Sequence, residues 1–154
     1  MADELRIRMS EQLAAMIRKH GAETYPHECC GALLGRDSAG NGNGDREIVA
    51  ILALANQRED SPRNRFSVAP RDVIDADKAA QAHGLEVVGW YHSHPDHPAR
   101  PSEYDREHAW PWYSYVILKV EKGEAREMTS WRLREDRKEY DEEKIKVGRN
   151  EVTK

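Results

Sequence analysis

The chain has 154 residues, of which 34% are charged, and its formal net charge is −4. This length can bury a core without disulfides or a structural metal but cannot hold a second full domain, so we expect one domain over residues 1–154, with a charged tail from about residue 135. The negative charge and the lack of a long basic block argue against a nucleic-acid groove, and the lack of any apolar run of about 18 residues argues against a membrane span.

The N-terminal residues predict a strand followed by a helix. Apolar and charged residues alternate over Leu5–Met9, which is the period of a half-buried strand. Ser10 is a typical helix N-cap, and the apolar residues after Glu11 recur at helical spacing. We expect Gly21 to end this helix or to interrupt it. No signal-peptide pattern occurs at the start of the chain, so the sequence predicts a cytoplasmic protein.

Two paired strands joined by a glycine-rich connection are expected next. The segment 27–35, HECCGALLG, is apolar and ends in glycine, which indicates a buried strand. Its cysteines, Cys29 and Cys30, are adjacent, a spacing that rarely allows a mutual disulfide, and we expect both to pack as small core residues. Residues 36–46 have the glycine and asparagine content of a flexible hairpin connection, and residues 47–55 indicate a strand paired with the preceding one.

The middle of the chain predicts a helix that leads into a further strand. Residues 57–65 are polar and favour a solvated connection over a loop beside a substrate channel, and residues 66–69 indicate a short strand. Pro70 suits the first turn of a helix, whose apolar face continues to a histidine-glycine pair at 83–84. The apolar run Leu85–Tyr91 then indicates a buried strand that ends at Tyr91.

Two histidines and an aspartate follow this strand at the spacing of a metal site. His92 and His94 are two residues apart, and residues i and i+2 of a strand share a face, so both imidazoles can reach one ion. Prolines then force a loop before a short helix with Asp105 in its first turn. Two neutral imidazoles and one carboxylate, with a fourth position for water, form the ligand set of a catalytic zinc, whereas a closed structural site normally has four protein ligands.

Each part of this pattern also has a purely structural explanation. Ser102 and Asp105 form a Ser-x-x-Asp start close to a capping box, which begins many helices that have no catalytic role. A histidine pair by itself is common on protein surfaces. The joint pattern of His-x-His, seven residues and Ser-x-x-Asp after an apolar strand favours a metal site, and we expect Asp96, His97 and His108 to be loop residues rather than further ligands.

Aromatic residues flank the metal pattern on both sides. They are Trp90, Trp110, Trp112 and Tyr113. Such residues either line a groove for a peptide or pack in the core, and the sequence favours neither alternative.

The C-terminal third predicts two strands joined by a hairpin. Residues 113–120 show the clearest strand pattern in the chain, and residues 124–133 follow across a tight turn. The remaining residues are densely charged, with Ile145 and Val147 adding at most one short strand. Together the elements predict a mixed α/β domain with a curved central β-sheet flanked by helices. The pattern leaves the strand order and the oligomeric state open.

The segment HSHPDHPARPSEYD resembles the signature of the JAMM, or MPN-plus, metalloproteases, which is His-Ser/Thr-His, seven residues and Ser-x-x-Asp, with a glutamate far upstream. This resemblance implies a JAMM/MPN-like fold and one Zn²⁺ per chain, with His92, His94 and Asp105 as ligands. It also implies that Ser102 stabilises the oxyanion and that Glu28, in PHECCGALLG, is the base that takes a proton from the attacking water. Considered alone, Glu28 is better explained as an exposed carboxylate at a strand edge.

The same resemblance implies a class of substrate. Family members act on proteins related to ubiquitin and cleave after a Gly-Gly tail that lies extended along a strand edge. Because the chain has no downstream cysteine that could hold a second zinc, it is similar to the compact prokaryotic members. Some of these process sulfur carrier proteins, in sulfur transfer and in cysteine or cofactor biosynthesis. The expected partner is therefore a ubiquitin-like or sulfur carrier protein, with no nucleic acid and no membrane.

Three other classes of protein remain as alternatives. A non-catalytic MPN-type scaffold usually lacks the ligands, all of which are present here. A DNA-repair-associated family of the related zinc fold has a similar His-x-His-Pro and Pro-Ser-x-x-Asp signature, but the ECCGALLG stretch and the net charge argue against it. A zinc nucleoside deaminase would need Cys-x-x-Cys and His-x-Glu motifs, and neither occurs.

Overall fold

The computed structural model describes residues 5–37, 45–55 and 70–148. Seven strands and three helices lie in these ranges. In chain order they are β1 (Arg6–Ser10), α1 (Glu11–Thr24), β2 (Cys30–Asp37), β3 (Asp45–Leu54), α2 (Pro70–Ala82), β4 (Glu86–Pro95), α3 (Glu103–His108), β5 (Ser114–Glu121), β6 (Glu124–Leu133) and β7 (Tyr140–Gly148). In this described part of the chain, no helix has the length and apolar character needed to cross a membrane.

The strands form a closed barrel in the order β1-β3-β2-β4-β5-β6-β7, which is completed by pairing between β7 and β1. The pairs β1 with β3, β1 with β7 and β4 with β5 are parallel, and the other pairs are antiparallel. The predicted mixed α/β fold with a curved sheet is therefore confirmed. The curvature continues until the sheet closes, so each strand has a neighbour on both sides.

The charged C-terminal residues contribute a full strand, where at most a short one was expected. β7 pairs with both β6 and β1 and so closes the barrel. Its Glu143 is 1% exposed, accepts a hydrogen bond from Ser130 Oγ (2.7 Å) and forms an ion pair with Arg132 Nε (2.6 Å). The prediction was too short because a buried, paired glutamate stands where an apolar residue would mark a strand.

α1 packs on the barrel through a face that includes Gly21. Ser10 caps this helix as predicted, with its Oγ accepting a hydrogen bond from Leu13 N (3.1 Å). The expectation that Gly21 ends or interrupts the helix is wrong, since α1 continues to Thr24. A Cβ atom at Gly21 would lie 2.6 Å from Leu118 Cδ2, so the glycine is a point of close contact between α1 and β5. A helical pattern alone does not distinguish this role from a helix end.

Two hydrophobic clusters form the core. One packs α1 against the barrel and includes Ile17 and Leu33. The other packs Ala76 and Ala80 of α2 against Trp90. β4 contributes to both clusters and is buried at every position after its first residue. A strand held by packing on both faces therefore carries the two histidines.

β2 and β4 are antiparallel neighbours in the barrel. β4 continues to Pro95, so the predicted strand end at Tyr91 is wrong and both histidines lie within the strand. The reason is tertiary, because β5 pairs with β4 in parallel as far as Pro95. β2 begins at Cys30, later than predicted. Cys29 and Cys30 are free and buried, as expected for core residues.

The connections that flank β3 are described only in part. Residues 36–37 and 45–46 belong to β2 and β3 and not to the predicted flexible connection. The rest of that connection lies outside the described residues, as do the connection predicted over 57–65 and the strand predicted over 66–69. α2 begins at Pro70, as predicted.

Candidate metal centre

The two histidines of β4 are buried and converge as the strand spacing predicts. Their Nε2 atoms are 3.2 Å apart. His94 is fixed by its other ring nitrogen, because Nδ1 lies 2.8 Å from the carbonyl oxygen of Pro98. A carbonyl oxygen can only accept a hydrogen bond, so Nδ1 carries the proton. Nε2 of the neutral ring then presents its lone pair to the centre.

Asp105 reaches the same point from the first turn of α3. Its Oδ2 lies 3.3 Å from His92 Nε2 and 3.2 Å from His94 Nε2. The capping box considered from the sequence is also present: Ser102 N donates to Asp105 Oδ2 (2.8 Å), and Asp105 N donates to Ser102 Oγ (3.0 Å). One carboxylate therefore takes part in the cap and faces the histidines, so the structural and the metal-binding explanations apply together.

The three converging atoms fit a tetrahedral metal ion. A zinc ion with ligand bonds of about 2.0–2.1 Å places its ligand atoms about 3.3 Å from one another. The three separations here are 3.2, 3.2 and 3.3 Å. Within the described residues, these side chains are the group of histidine, cysteine and acidic residues that could hold a metal ion.

The electrostatics of the site favour the protonation states that bind a metal. Burial by itself would raise the pKa of the Asp105 carboxyl, but His92 and His94 outweigh burial and hold that pKa well below its ordinary value. Burial lowers the pKa of His92, although the charge of Asp105 opposes this shift. At neutral pH the carboxylate is therefore ionised and the His92 ring is neutral, which are the forms that coordinate zinc.

Glu28 is brought to the site by pairing between distant parts of the chain. Cys29 N donates to Ser93 Oγ (2.8 Å), and Ser93 N donates to Cys29 O (3.2 Å). Cys30 pairs with His92, and this antiparallel register, extended two residues before the start of β2, places Glu28 opposite His94. Glu28 is 4% exposed, so the alternative of an exposed edge carboxylate is wrong. Its pKa is raised to about 9, first by burial and then by the negative charge of Asp105.

Two of the polar residues expected to lie in loops have other contacts, and one of them, His108, is the last residue of α3 and so does not lie in a loop. Asp96 Oδ1 accepts a hydrogen bond from Lys122 N (2.8 Å), and its Oδ2 accepts one from Tyr25 OH (2.6 Å). His108 stacks on Tyr104 with ring centroids 4.0 Å apart. Neither residue belongs to the group that could hold a metal ion.

A pocket with a volume of about 510 Å³ opens beside His92 and Asp105. We call it the aromatic pocket, after its side chains Trp90, Tyr104, Trp110, Tyr113, Tyr115 and Tyr140. Three of the four aromatic residues singled out from the sequence thus line a groove, and one of these, Trp90, also packs in the core. The fourth, Trp112, instead packs against the guanidinium of Arg46, 4.3 Å from the ring centroid.

Sequence reasoning did not single out Tyr115 and Tyr140 as site residues. They lie at or near the starts of β5 and β7, and Tyr115 pairs across the parallel ladder with Trp90. A strand pattern shows that such residues alternate between faces, but it does not show which strand lies alongside. Only the strand order of the barrel brings them into the pocket beside His92 and Asp105.

Comparison with known proteins agrees with this geometry. The family model for prokaryotic homologs of the JAB domain matches residues 10–134. A desampylase of Haloferax volcanii is 32% identical over 108 residues, which cover 70% of this chain and 73% of that protein. A Thermus thermophilus protein named as a probable TtuB-protein conjugate cleaving protease is 34% identical over 83 residues, which cover 54% of this chain and 55% of that protein.

The fold also has a solved counterpart. The crystal structure of a JAB1/MPN domain protein from Archaeoglobus fulgidus matches with a TM-score of 0.55 and 18% identity, covering 92% of this chain and 98% of that one. At this identity the likeness shows the fold alone. The family model, in contrast, spans Glu28 as well as the two histidines and Asp105. The chain therefore belongs to the family of prokaryotic homologs of the JAB domain, which confirms its resemblance to the JAMM metalloproteases.

Proposed function

We propose that the protein is a zinc metallopeptidase that hydrolyses the amide bond after the C-terminal Gly-Gly of a ubiquitin-like or sulfur carrier protein. The observation that carries the proposal is the convergence of His92 Nε2, His94 Nε2 and Asp105 Oδ2 at ligand distances, with Glu28 buried just before the neighbouring strand β2. Relatives named as a desampylase and as a protease that cleaves protein conjugates support the substrate class. The proposed setting is cytoplasmic sulfur transfer, or cysteine or cofactor biosynthesis, where free thiols stay reduced.

In this proposal, His92, His94 and Asp105 hold one Zn²⁺. When bound, the ion supplies Lewis-acid activation of the scissile carbonyl and of the attacking water. The Glu28 carboxylate takes the proton from that water and returns it to the leaving amine. Burial raises the proton affinity of this carboxyl, and the positive charge of a bound metal ion would favour the ionised form that accepts the proton.

We infer a second role for Ser102 besides its cap. Its Oγ accepts a hydrogen bond from Asp105 N, and that bond does not use the hydroxyl hydrogen. We assign this hydrogen to the oxyanion that develops on the scissile carbonyl. A non-catalytic binding module is disfavoured, because a buried carboxyl beside a ligand set is costly to maintain without a chemical role.

The function can be tested by mass spectrometry. The substrate is a sulfur carrier protein extended by one residue past its Gly-Gly end, incubated with zinc-loaded enzyme and, in parallel, with the Glu28→Ala variant. Loss of the added residue with the intact enzyme alone is the expected result. No cleavage by an enzyme that holds stoichiometric zinc would contradict the proposed function.

Asp96 is expected to control metal affinity without contacting the metal. Its two carboxylate oxygens tie the loop after β4 to Lys122 and Tyr25, and that loop supplies the Pro98 carbonyl that orients His94. We expect Asp96→Ala to lower zinc affinity about tenfold, as removal of outer-shell partners of a metal ligand usually does. Competition with a chelator of known affinity measures this change.

The matched control is Asp136→Ala, which removes an aspartate with a similar bond to a backbone amide, that of Lys138, in another turn. This control should bind zinc as tightly as the unchanged protein. Equal affinity in the Asp96→Ala protein, with its fold intact by circular dichroism, would show that the loop is held without Asp96.

Glu28 is expected to make the metal-free protein less stable as the pH rises. Its pKa in the folded state is about 9, above its ordinary value of 4.5, so the folded state binds this proton more tightly than the unfolded state does. The free energy of unfolding should therefore decrease as the pH rises from 4.5 towards 9. Without zinc, Glu28→Gln should be more stable than the unchanged protein by about 2–4 kcal/mol at pH 8, and nearly equal to it at pH 5.

Urea unfolding of both proteins in the presence of a chelator, at each pH, gives the four free energies. The difference between the two proteins cancels the contribution of every other titrating group. The same difference at both pH values would mean that Glu28 is ionised in the folded metal-free protein throughout this range.

A further inference from the structure

The aromatic pocket has no role in the chemistry described above, although two of the proposed metal ligands, His92 and Asp105, are among the residues that line it. β4 and β5 form its floor, where Trp90 pairs with Tyr115 and His92 pairs with Ile117 in the parallel register. Trp90 and His92 are two residues apart along β4 and therefore lie on the same face of this strand. A substrate with its scissile carbonyl at the proposed metal centre must place an adjoining residue either over this floor or on the opposite side of the centre.

The pocket is apolar, and several of its polar atoms already have partners. The Tyr115 hydroxyl oxygen accepts a hydrogen bond from Trp110 N (2.9 Å), and His108 Nδ1 is bound to the carbonyl oxygen of Tyr104 (2.9 Å). Among the described residues that line the pocket, Asp105 is the carboxylate, and it already faces the two histidines. No lysine or arginine is among the described residues that line the pocket, and aromatic walls of this kind favour an apolar side chain over a charged one.

The size of the pocket also restricts its occupant. A volume of about 510 Å³ is far larger than a glycine needs and suits a bulky side chain with its adjoining backbone. The acyl side of the proposed scissile bond ends in two glycines, which have no side chain to place there. The pocket must therefore serve the leaving side of the bond, an argument that rests on the proposed function.

We propose that the aromatic pocket binds the side chain of the residue that follows the Gly-Gly and selects an aromatic or large aliphatic residue at that position. The walls that would contact this side chain come from separate elements, with Val73 on α2, and Tyr104 and Trp110 on and just after α3. The preference is built into the fold, because the floor is formed by β4 and β5, which pair in parallel from Gly89 to Pro95.

The first test compares carriers extended past Gly-Gly by one residue, which is Phe, Leu, Ala or Asp. We expect kcat/KM for Phe and Leu to exceed that for Ala by about 10–100-fold, with Asp lowest, since each methylene in an apolar pocket contributes a severalfold preference. Val73→Phe narrows the pocket and Trp110→Ala removes a wall. Both should reduce the ratio of Phe to Ala cleavage at least about fivefold.

Trp112→Ala is the matched control, because Trp112 is a partly exposed tryptophan close in the chain to Trp110 that does not line the pocket. This variant should keep the preference of the unchanged enzyme. Equal kcat/KM for all four extensions, with no change in either pocket variant, would overturn the assignment of the pocket and leave the proposed function standing.

A binding measurement separates the two proposals further. Phenylalanine amide and alanine amide, which mimic the leaving group, are titrated against the tryptophan fluorescence of the zinc-loaded protein. We expect tighter binding of phenylalanine amide, and loss of this difference in Val73→Phe. If no extended carrier is cleaved, the proposed function fails. In that case, equal binding of the two amides would also overturn the pocket assignment, and preferential binding of phenylalanine amide would uphold it.

Discussion

Replacing Glu28 with glutamine is expected to lower kcat for carrier cleavage by about 10²–10⁴-fold, while zinc remains bound at one ion per chain. Glutamine keeps the size of the side chain but cannot accept the proton of the attacking water. Glu28 is 4% exposed and lies just before β2, the neighbour of the strand that carries the histidines, so bulk water cannot easily replace it as a base. Metal analysis by mass spectrometry and the cleavage assay are performed on the same preparation.

The control for this change is Glu86→Gln, which alters an exposed glutamate at the start of the same strand that carries the histidines. It should have the activity of the unchanged enzyme. A Glu28→Gln protein that holds zinc and retains full activity would contradict the assignment of Glu28 as the base. If it loses zinc as well, Glu28 contributes to the metal site itself.

Replacing His92 with alanine, or Asp105 with asparagine, is expected to empty the metal site and abolish activity. The three ligand atoms lie 3.2–3.3 Å from one another, so the loss of either one leaves two ligands and a site open to water. We expect zinc affinity to fall by at least about 100-fold, which exceeds the usual effect of an outer-shell change. Zinc content after dialysis against a chelator measures the loss.

Asparagine is the informative replacement at position 105, because it can still accept the hydrogen bond from Ser102 N that belongs to the capping box. Loss of zinc in Asp105→Asn can then be attributed to the missing charge and not to a frayed helix. His97→Ala is the control, since His97 lies close in sequence but outside the converging group, and it should keep its zinc. Stoichiometric zinc in both ligand variants would contradict the ligand assignment.

The convergence of the three candidate ligands could be predicted from the sequence because their geometry is largely local. His92 and His94 share a face through the two-residue period of a strand, and Ser102 fixes Asp105 through a cap that spans three residues. The strand was nevertheless predicted to end too early. Its last residues are held by pairing with β5, which a local pattern does not show.

Glu28 marks the limit of what the residues themselves can show. The residues around Glu28 do not by themselves indicate a role at the proposed metal centre, and only the resemblance to the JAMM metalloproteases implies one. The structure places it opposite His94 through hydrogen bonds that join Cys29 to Ser93, residues far apart in the chain. Burial and the nearby Asp105 then raise its pKa, and both are properties of the assembled barrel.

The sequence by itself determined the mixed α/β class, most of the elements and the grouping of His92, His94 and Asp105 as candidate ligands, because periodicity, capping and short spacings act within a few residues. Only the tertiary structure decided the closure of the barrel by pairing of β7 with β1. β7 does not show a hydrophobic pattern, because one of its buried positions is Glu143, which forms an ion pair with Arg132. The tertiary structure also decided the burial of Glu28 and the assembly of the aromatic pocket. These features depend on which strands become neighbours, and contacts between distant residues leave no periodic signal in the chain.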